Sequence, residues 1–185
     1  MLTPTRKSLI GVQNLNAVLQ DTLNPAQPDK PEKMTGRCVY RLGDKVMQIK
    51  NNYQLEWERI DGREKGLGVF NGDVGFITDI DSRSQKITVV FDDRLVKYDF
   101  LLLDELELAY AITVHKSQGS EFDVVVMPMF ETHRLLMTRN LLYTAITRAK
   151  SLVVLVGQEQ YIKTFVDNDN IQNRFSGLKN KLEIF

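Results

Sequence analysis

Two short runs of almost purely apolar residues in the second half of the chain constrain its fold more than any other feature. They span 124–129 and 152–156, and such runs are typical of strands that are buried on both faces of a sheet. Between them, apolar residues recur at helical spacing and predict a helix that runs to Ala149: Leu135, Leu136, Leu142 and Ile146. This strand–helix–strand order predicts a unit of a parallel sheet and therefore an α/β fold.

The middle of the chain, from about Gly36 to Leu106, follows a different pattern. Short β-rich runs alternate there with turn signals, and they predict strands over 38–41, 45–49, 74–80, 87–91 and 95–100. The predicted turns are Gly43-Asp44, Asn71-Gly72 and Asp92-Asp93. The polar stretch 51–68 is expected to be a long loop. Short strands in so compact a stretch predict a small β-barrel.

The first part of the chain, up to about Thr35, predicts an amphipathic helix over Val12–Leu23. Its apolar residues recur at helical spacing: Val12, Leu15, Val18, Leu19 and Leu23. Three prolines within the next polar run end the helix and form a linker. We therefore expect one α/β domain, residues 1–35 and 107–185, interrupted by a barrel at 36–106. The strands of its two parts should form one sheet.

The composition limits how such a chain could bind its partners. Lys plus Arg and Asp plus Glu number 24 each, so the formal net charge is zero and any contact with nucleic acid must be local. Cys38 is the single cysteine, which excludes an internal disulfide. With no signal peptide and no long apolar run, the expected location is cytoplasmic. The sequence contains no cluster of cysteine and histidine residues, so no metal site is predicted.

Two long segments point to a specific chemistry. The first, Ala109–Asp123, reads AYAITVHKSQGSEFD, and the second, Leu141–Lys150, reads LLYTAITRAK. Together they resemble motifs V and VI of superfamily-1 helicases, and the wording of His115–Gly119 resembles the RecD/TraA branch. Three further segments are similar to that branch: 3–7 together with Leu15-Asn16, 43–53 and 70–73. The resemblance implies the C-terminal region of an ATP-dependent DNA helicase, in which an SH3-like barrel is inserted into the second RecA-like motor domain.

The resemblance also implies residues that face the nucleotide. Arg148 would complete the ATP site across the cleft between two motor domains, because a planar, permanently charged guanidinium suits the γ-phosphate. Gly119 and Glu121 would lie towards the nucleotide, with the carboxylate near a ribose hydroxyl or coupling ATP to DNA. Without the resemblance, Arg148 would be interpreted as a solvated cation at the C-terminal end of a helix.

Single-stranded DNA is the second implied partner. Thr113 and His115 occupy alternate positions after a strand and are expected to face one side. The resemblance implies DNA contacts from four residues of this segment: Thr113, His115, Lys116 and Ser117. In the barrel, Asn52 and Tyr53 are predicted to hold single strands by phosphate contact and stacking. The alternatives are a structural histidine at 115 and a solvated hairpin with Tyr53 packed on the barrel edge.

One segment imitates a nucleotide motif. Residues 100–105, FLLLDE, have the form of a Walker B strand, but the sequence G-x-x-x-x-G-K-[ST] is not present. We therefore interpret Asp104 and Glu105 as polar residues at the exit of the barrel.

ATP and Mg²⁺ are accordingly expected only where a P-loop-bearing first motor domain is present. The abrupt start inside a family-like segment predicts a longer protein, and the chain alone should be inactive. The alternative function is a non-catalytic module that binds DNA or protein. A small enzyme of another chemistry is disfavoured, because no catalytic triad or pair of catalytic carboxylates is evident.

Overall fold

The computed structural model describes residues 1–36 and 38–169 as a mixed α/β structure. Residues 170–185 of the predicted motor domain lie outside the described residues. The helices are α1 (Val12–Leu23), α2 (Arg139–Ile146) and α3 (Glu159–Asp167). The strands are β1 (Leu2–Thr3), β2 (Glu32–Met34), β3 (Val39–Arg41), β4 (Lys45–Gln48), β5 (Asn52–Arg59), β6 (Lys65–Val69), β7 (Val74–Asp81), β8 (Lys86–Phe91), β9 (Arg94–Asp99), β10 (Leu106–Leu108), β11 (Ile112–Thr113), β12 (Phe122–Met129) and β13 (Ala149–Gly157). No helix within these residues is long and apolar enough to cross a membrane.

The middle of the chain forms a seven-stranded antiparallel sheet in the order β10-β4-β7-β8-β9-β5-β6. Strands β2 and β3 form a separate antiparallel pair. The sequence placed five of these strands and all three turns correctly. The side chains that alternate inwards form one hydrophobic core, whose largest buried members are Tyr40, Ile77, Ile87, Phe91 and Tyr98.

The prediction of a long polar loop over 51–68 was wrong, because this stretch is the β5–β6 hairpin. Its polar residues are exposed on one face, where Lys65 pairs with Glu58 at 3.2 Å. Trp57 packs against Gly66, where a Cβ atom would overlap the indole ring. The cross-strand contact between Trp57 and Gly66, together with the charged pairs on the exposed face, stabilises a hairpin whose sequence has few apolar residues.

The α/β part contains the predicted strand–helix–strand unit, since β12 and β13 pair in parallel across α2. Strand β1 pairs in parallel with β11, which ties the start of the chain to the segment after residue 108. The prediction of one continuous sheet was wrong, because these four strands form two separate pairs. The two pairs share a second hydrophobic core, in which Leu2 of β1 packs with Val125 and Met127 of β12 and with Phe165 of α3.

Strands β12 and β13 are not buried on both faces, as their apolar sequence had predicted. One face points into the second core, whereas apolar side chains on the other are 37–52% exposed: Val124, Leu152, Val154 and Val156. The apolar helical residues also divide, because Leu135 and Leu136 belong to a separate 3₁₀ turn before α2. A continuous apolar run therefore indicated a strand but not how many of its faces are covered.

Helix α1 has the predicted bounds but buries a different face. Its buried positions are Val12, Asn16 and Gln20, whereas Val18 and Leu23 are exposed. Asn16 donates to the carbonyl oxygens of Leu108 at 2.7 Å and Ala111 at 3.0 Å, and its own Oδ1 accepts from the Ala111 amide at 2.7 Å. Backbone groups of two neighbouring segments thus select the polar face, because buried amides need partners.

Candidate nucleic-acid and nucleotide site

The motif V segment forms a compact turn that two hydroxyl groups hold in shape. After β11, a 3₁₀ helix covers Val114–Ser117, and Thr113 caps it by accepting from the Lys116 amide at 3.3 Å. Ser117 is fully buried and donates from Oγ to the carbonyl oxygen of Val114 at 2.7 Å. These two hydroxyls therefore fix the turn from inside.

The expected alternation of Thr113 and His115 ends where the 3₁₀ helix begins. Thr113 is buried and His115 is exposed, so the two side chains do not face one side as the strand pattern had predicted. The hydroxyl of Ser117 is likewise turned inwards. Of the four residues predicted to contact DNA, His115 and Lys116 are the two whose side chains reach the surface of the turn.

A groove opens between the motif V turn and helix α2. It has a volume of about 590 Å³. His115 and Gln118 line one side, and the start of α2 lines the other with Thr138, Asn140 and Thr144. Thr138 caps α2 by accepting from the Leu141 amide at 3.3 Å. Apolar side chains also line the groove: Val114, Leu135, Leu136 and Leu141. This mixture of polar and apolar groups, together with the exposed imidazole, makes the groove a candidate channel for an extended ligand that has both polar and apolar parts.

Arg148 lies at the junction of the two motif segments. Its Nη1 donates to the carbonyl oxygen of Ser120 at 3.4 Å, and its own carbonyl oxygen accepts from the Phe122 amide at 2.8 Å. The Nε atom is buried and has no hydrogen-bond partner among the described residues. Because β13 starts at the next residue and runs parallel to β12, sheet pairing brings Arg148 beside the end of motif V.

The other two residues predicted to face the nucleotide flank Ser120. Gly119 has a φ of +87°, a conformation that favours glycine because other side chains are strained there. Glu121 is exposed, and its carboxylate lies 3.8 Å from the Lys150 ammonium. The structure therefore brings Gly119, Glu121 and Arg148 together at one junction, next to the turn that presents His115.

Lys116 is engaged by a carboxylate that the sequence did not single out. Its ammonium lies 3.4 Å from Oε2 of Glu107 on β10. The other oxygen of Glu107 accepts from the Arg6 guanidinium, in the segment between β1 and α1. Arg6 is part of the 3–7 segment, but the ion pair joins residues 101 positions apart and has no local sequence signal.

Asn52 and Tyr53, the residues of the seven-stranded sheet predicted to contact DNA, differ in their surroundings. Asn52 donates to Glu105 at 3.0 Å and accepts from the amides of Gln54 and Leu55, so its side chain shapes the start of β5. Tyr53 is 68% exposed and meets the exposed Phe70 edge-to-face, with ring centroids 5.7 Å apart. The sequence predicted Tyr53 but not its aromatic partner, which directly follows β6 at the end of the same β5–β6 hairpin.

The segment that imitates a Walker B strand is a 3₁₀ helix, Phe100–Glu105. Asp104 pairs with Lys50, and Glu105 accepts from the side-chain amides of Gln48 at 3.1 Å and Asn52. Both carboxylates thus connect the 3₁₀ helix, where the chain leaves the seven-stranded sheet, to the end of β4 and the start of β5. Across residues 1–36 and 38–169, no group of three histidine, cysteine or acidic side chains is arranged to hold a metal ion.

Two family models match consecutive parts of the chain. Residues 15–91 match the SH3 domain of ATP-dependent RecD-like DNA helicases, and residues 108–156 match the UvrD-like helicase C-terminal domain. The second match contains both motif segments up to Lys150, and the first covers most of α1 and strands β4 to β8 of the seven-stranded sheet. The order of the two matches follows the order of patterns along the sequence.

Relatives and solved structures agree with these matches. The chain is 36% identical over 81% of its length to the ATP-dependent RecD2 DNA helicase of Deinococcus radiodurans. It is 34% identical over 67% of its length to the RecBCD enzyme subunit RecD of Mycobacterium tuberculosis H37Rv. The chain spans only 19% and 21% of these two relatives.

A Pif1 helicase from Bacteroides, solved in complex with ADP-AlF3 and ssDNA, has a similar fold. The TM-score is 0.55 at 18% identity, over 99% of this chain and 44% of that one. The described residues therefore have a helicase-like fold with an SH3-like domain. On these matches the chain belongs to the RecD-like helicase family, with an SH3 domain followed by a UvrD-like C-terminal domain.

Proposed function

We propose that this chain forms the second motor region of an ATP-dependent DNA helicase that acts on single-stranded DNA. In this proposal residues 1–35 and 107–185 make the RecA-like domain, and 36–106 make an inserted SH3-like β-barrel. The observation that carries the proposal is the junction at Ser120, where Arg148 of one motif meets the turn of the other. A nucleotide contact and a DNA contact would there be neighbours within one short segment.

The nucleotide would be contacted from this chain by Arg148, Gly119 and Glu121. Among the described residues the Arg148 side chain has one hydrogen bond, a long one from Nη1 to the Ser120 carbonyl oxygen at 3.4 Å, so the guanidinium retains N–H groups that can bind an added anion. Bound ATP supplies the free energy of phosphoryl transfer, and Arg148 would stabilise the charge that develops on the transferred group. A P-loop-bearing first motor domain would hold the triphosphate and Mg²⁺, since that motif lies outside this sequence.

DNA would run through the groove beside the motif V turn. His115 lines the groove and offers ring nitrogens to phosphate or base edges, while Lys116 supplies a local positive charge. Thr113 and Ser117 would act by fixing the turn, because their hydroxyl groups are used inside it. Local contacts of this kind suit a chain whose formal net charge is zero.

The SH3-like domain supports a second candidate role, that of a binding module. The exposed Tyr53–Phe70 pair offers aromatic faces on which bases could stack, a contact that tolerates any sequence. Asn52 would position β5 rather than touch the strand. If the chain were only a binding module, Tyr53→Ala would abolish single-strand binding while Arg148→Ala would leave hydrolysis by a P-loop-containing enzyme unchanged.

The test separates the two motifs. In an enzyme that includes the P-loop domain, Arg148→Ala should lower the DNA-stimulated kcat by roughly 10³-fold, the scale of an arginine that acts across a cleft. Its affinity for single-stranded DNA without nucleotide should be unchanged. His115→Ala should instead weaken that affinity by about fivefold, which corresponds to about 1 kcal/mol for one polar contact. Equal losses of binding and turnover in both variants, with folding intact, would contradict the proposal.

A further inference from the structure

Glu107 holds two cations from two different parts of the chain. One carboxylate oxygen contacts Arg6, in the segment after β1, and the other lies 3.4 Å from Lys116, in the motif V turn. The three side chains are 46%, 24% and 24% exposed for Arg6, Glu107 and Lys116 respectively. The carboxylate is therefore bound between two cations at a place that solvent reaches.

The arrangement matches what a backbone phosphate requires. A phosphodiester carries one negative charge shared by two non-bridging oxygens, much as a carboxylate carries one charge on its two oxygens. Arginine and lysine are the usual partners of both groups. Two cations with one carboxylate leave a net positive charge at the cluster. Lys7 and His115, the sequence neighbours of Arg6 and Lys116, are both exposed.

Stability alone gives little reason for this cluster. Ion pairs that solvent reaches contribute about 0–1 kcal/mol, so we expect Glu107 to contribute little to the free energy of unfolding. The carboxylate nevertheless neutralises Lys116, the one cation of the motif V turn, in the absence of DNA. An internal anion at this position would weaken binding of an external one by direct competition.

We propose that Arg6 and Lys116 form a binding site for one phosphate of single-stranded DNA, which Glu107 occupies when DNA is absent. This inference rests on the proposed role of the motif V turn in binding DNA. Strand binding then exchanges the Glu107 carboxylate for a phosphate, and Arg6 becomes a DNA-contacting residue outside both motif segments. Glu107 sets the affinity by competing for the two cations.

The experiment measures binding of a fluorescein-labelled oligothymidylate to the 185-residue chain by anisotropy, over a series of NaCl concentrations. Glu107→Gln keeps the size of the side chain and removes its charge, and it should tighten binding by roughly three- to tenfold. The slope of log K against log[salt] should become steeper by up to about 0.7, the value for one additional phosphate contact on a single strand. Thermal unfolding of each variant checks that the fold is retained.

Two controls isolate the site. Glu159→Gln, in the exposed Glu159–Lys163 pair of α3, changes the net charge by the same amount and should leave the affinity unchanged. In a Lys116→Ala background, Glu107→Gln should lose most of its effect, because one of the two freed cations is missing. Arg6→Ala should weaken binding and reduce the salt dependence.

The outcomes distinguish this inference from the function on which it rests. If wild type does not bind the oligonucleotide, or if Lys116→Ala binds as well as wild type, the proposed DNA contact of the motif V turn fails. If Lys116→Ala weakens binding but Glu107→Gln is neutral or weaker than wild type, the DNA contact stands and the phosphate exchange is wrong. Equal tightening by Glu159→Gln would also overturn the exchange, because bulk charge would explain it.

Discussion

Two carboxylates, those of Asp44 and Glu107, each contact both the N-terminal part of the chain and the motif V segment, but in opposite surroundings. We call these two places the Asp44 joint and the Glu107 joint. Asp44, in the turn before β4, is fully buried and Glu107, on β10, is partly exposed. Glu107 contacts two cations. Within residues 1–36 and 38–169, the Asp44 carboxylate accepts hydrogen bonds from uncharged groups only: Gln20 Nε2 at 2.6 Å, Asn24 Nδ2 at 2.6 Å, the Arg41 amide at 2.7 Å and the Tyr110 hydroxyl at 2.9 Å.

The difference in surroundings indicates which of the two carboxylates can exchange its partners for DNA. The donors around Asp44 lie on α1 and its C-cap, at the end of β3 and in the motif V segment, and water cannot replace them without opening the fold. Polar groups buried in this way stabilise one arrangement of elements, because each donor would otherwise be unsatisfied. The partners of Glu107 are long, charged and open to solvent, so another anion can take its place. Asp44 therefore has a structural role, whereas Glu107 would regulate the access of phosphate to Arg6 and Lys116.

The largest predicted effect is on Asp44. Asp44→Ala leaves several buried donors without an acceptor and should lower the free energy of unfolding by about 3 kcal/mol or more. Urea unfolding followed by circular dichroism measures this difference. Asp21→Ala is the matched control, because Asp21 is 72% exposed and makes one ion pair with Arg41, worth less than about 1 kcal/mol. Similar losses in the two variants would show that burial does not distinguish these carboxylates.

A smaller effect is predicted for Tyr110, which supplies one of the four donors to Asp44. Tyr110→Phe should cost about 1 kcal/mol at pH 7, the net value of one hydrogen bond. Burial, together with the hydrogen bond to Asp44, raises the pKa of the Tyr110 phenol to about 12.

The pKa shift predicts how this difference depends on pH. Because the phenol keeps its proton more firmly in the folded state, its stabilising contribution is complete below pH 10 and is lost as the pH rises through about 12. The gap in unfolding free energy between wild type and Tyr110→Phe should therefore narrow across that range. Burial also raises the pKa of Tyr98, which is common to both proteins and cancels in the comparison. A gap that widens with rising pH would contradict this assignment.

The smallest predicted effect is on the stability of Glu107→Gln. Loss of two solvent-accessible ion pairs should change the free energy of unfolding by less than about 1 kcal/mol, and 1 M NaCl should reduce even that difference. Urea unfolding at low and high salt measures it. A loss as large as that of Asp44→Ala, and insensitive to salt, would mean that Glu107 is also a fixed structural joint.

The sequence predicted local structure better than it predicted which surfaces meet. The bounds of α1 followed from its periodicity, yet the face that it buries was wrong, because Asn16 and Gln20 are held by distant backbone groups rather than by apolar contacts. The β5–β6 hairpin was missed since Trp57 on Gly66 gives no recognisable alternation. Strand β13 was recognised from its apolar run, but that run does not reveal its exposed face.

The candidate site divides in the same way. The resemblance of the motif segments placed Gly119, Glu121 and Arg148 in one group, and in the structure they lie at one junction. Glu107 could not be predicted, because it is one of 24 acidic residues and its partners are distant in the sequence. Phe70 was missed because the β5–β6 hairpin, which brings it beside Tyr53, was itself predicted to be a loop.

Whether DNA binds beside the partly exposed Glu107 and not beside the buried Asp44 can be tested most directly by mapping amide chemical shifts. A ¹⁵N-labelled sample of the chain would be titrated with an unlabelled oligothymidylate. We expect the largest shifts on residues 115–120 and around Arg6 and Glu107, with the amides of Arg41 and Tyr110 nearly unchanged. Shifts concentrated around Asp44, with residues 115–120 unaffected at saturation, would contradict this expectation.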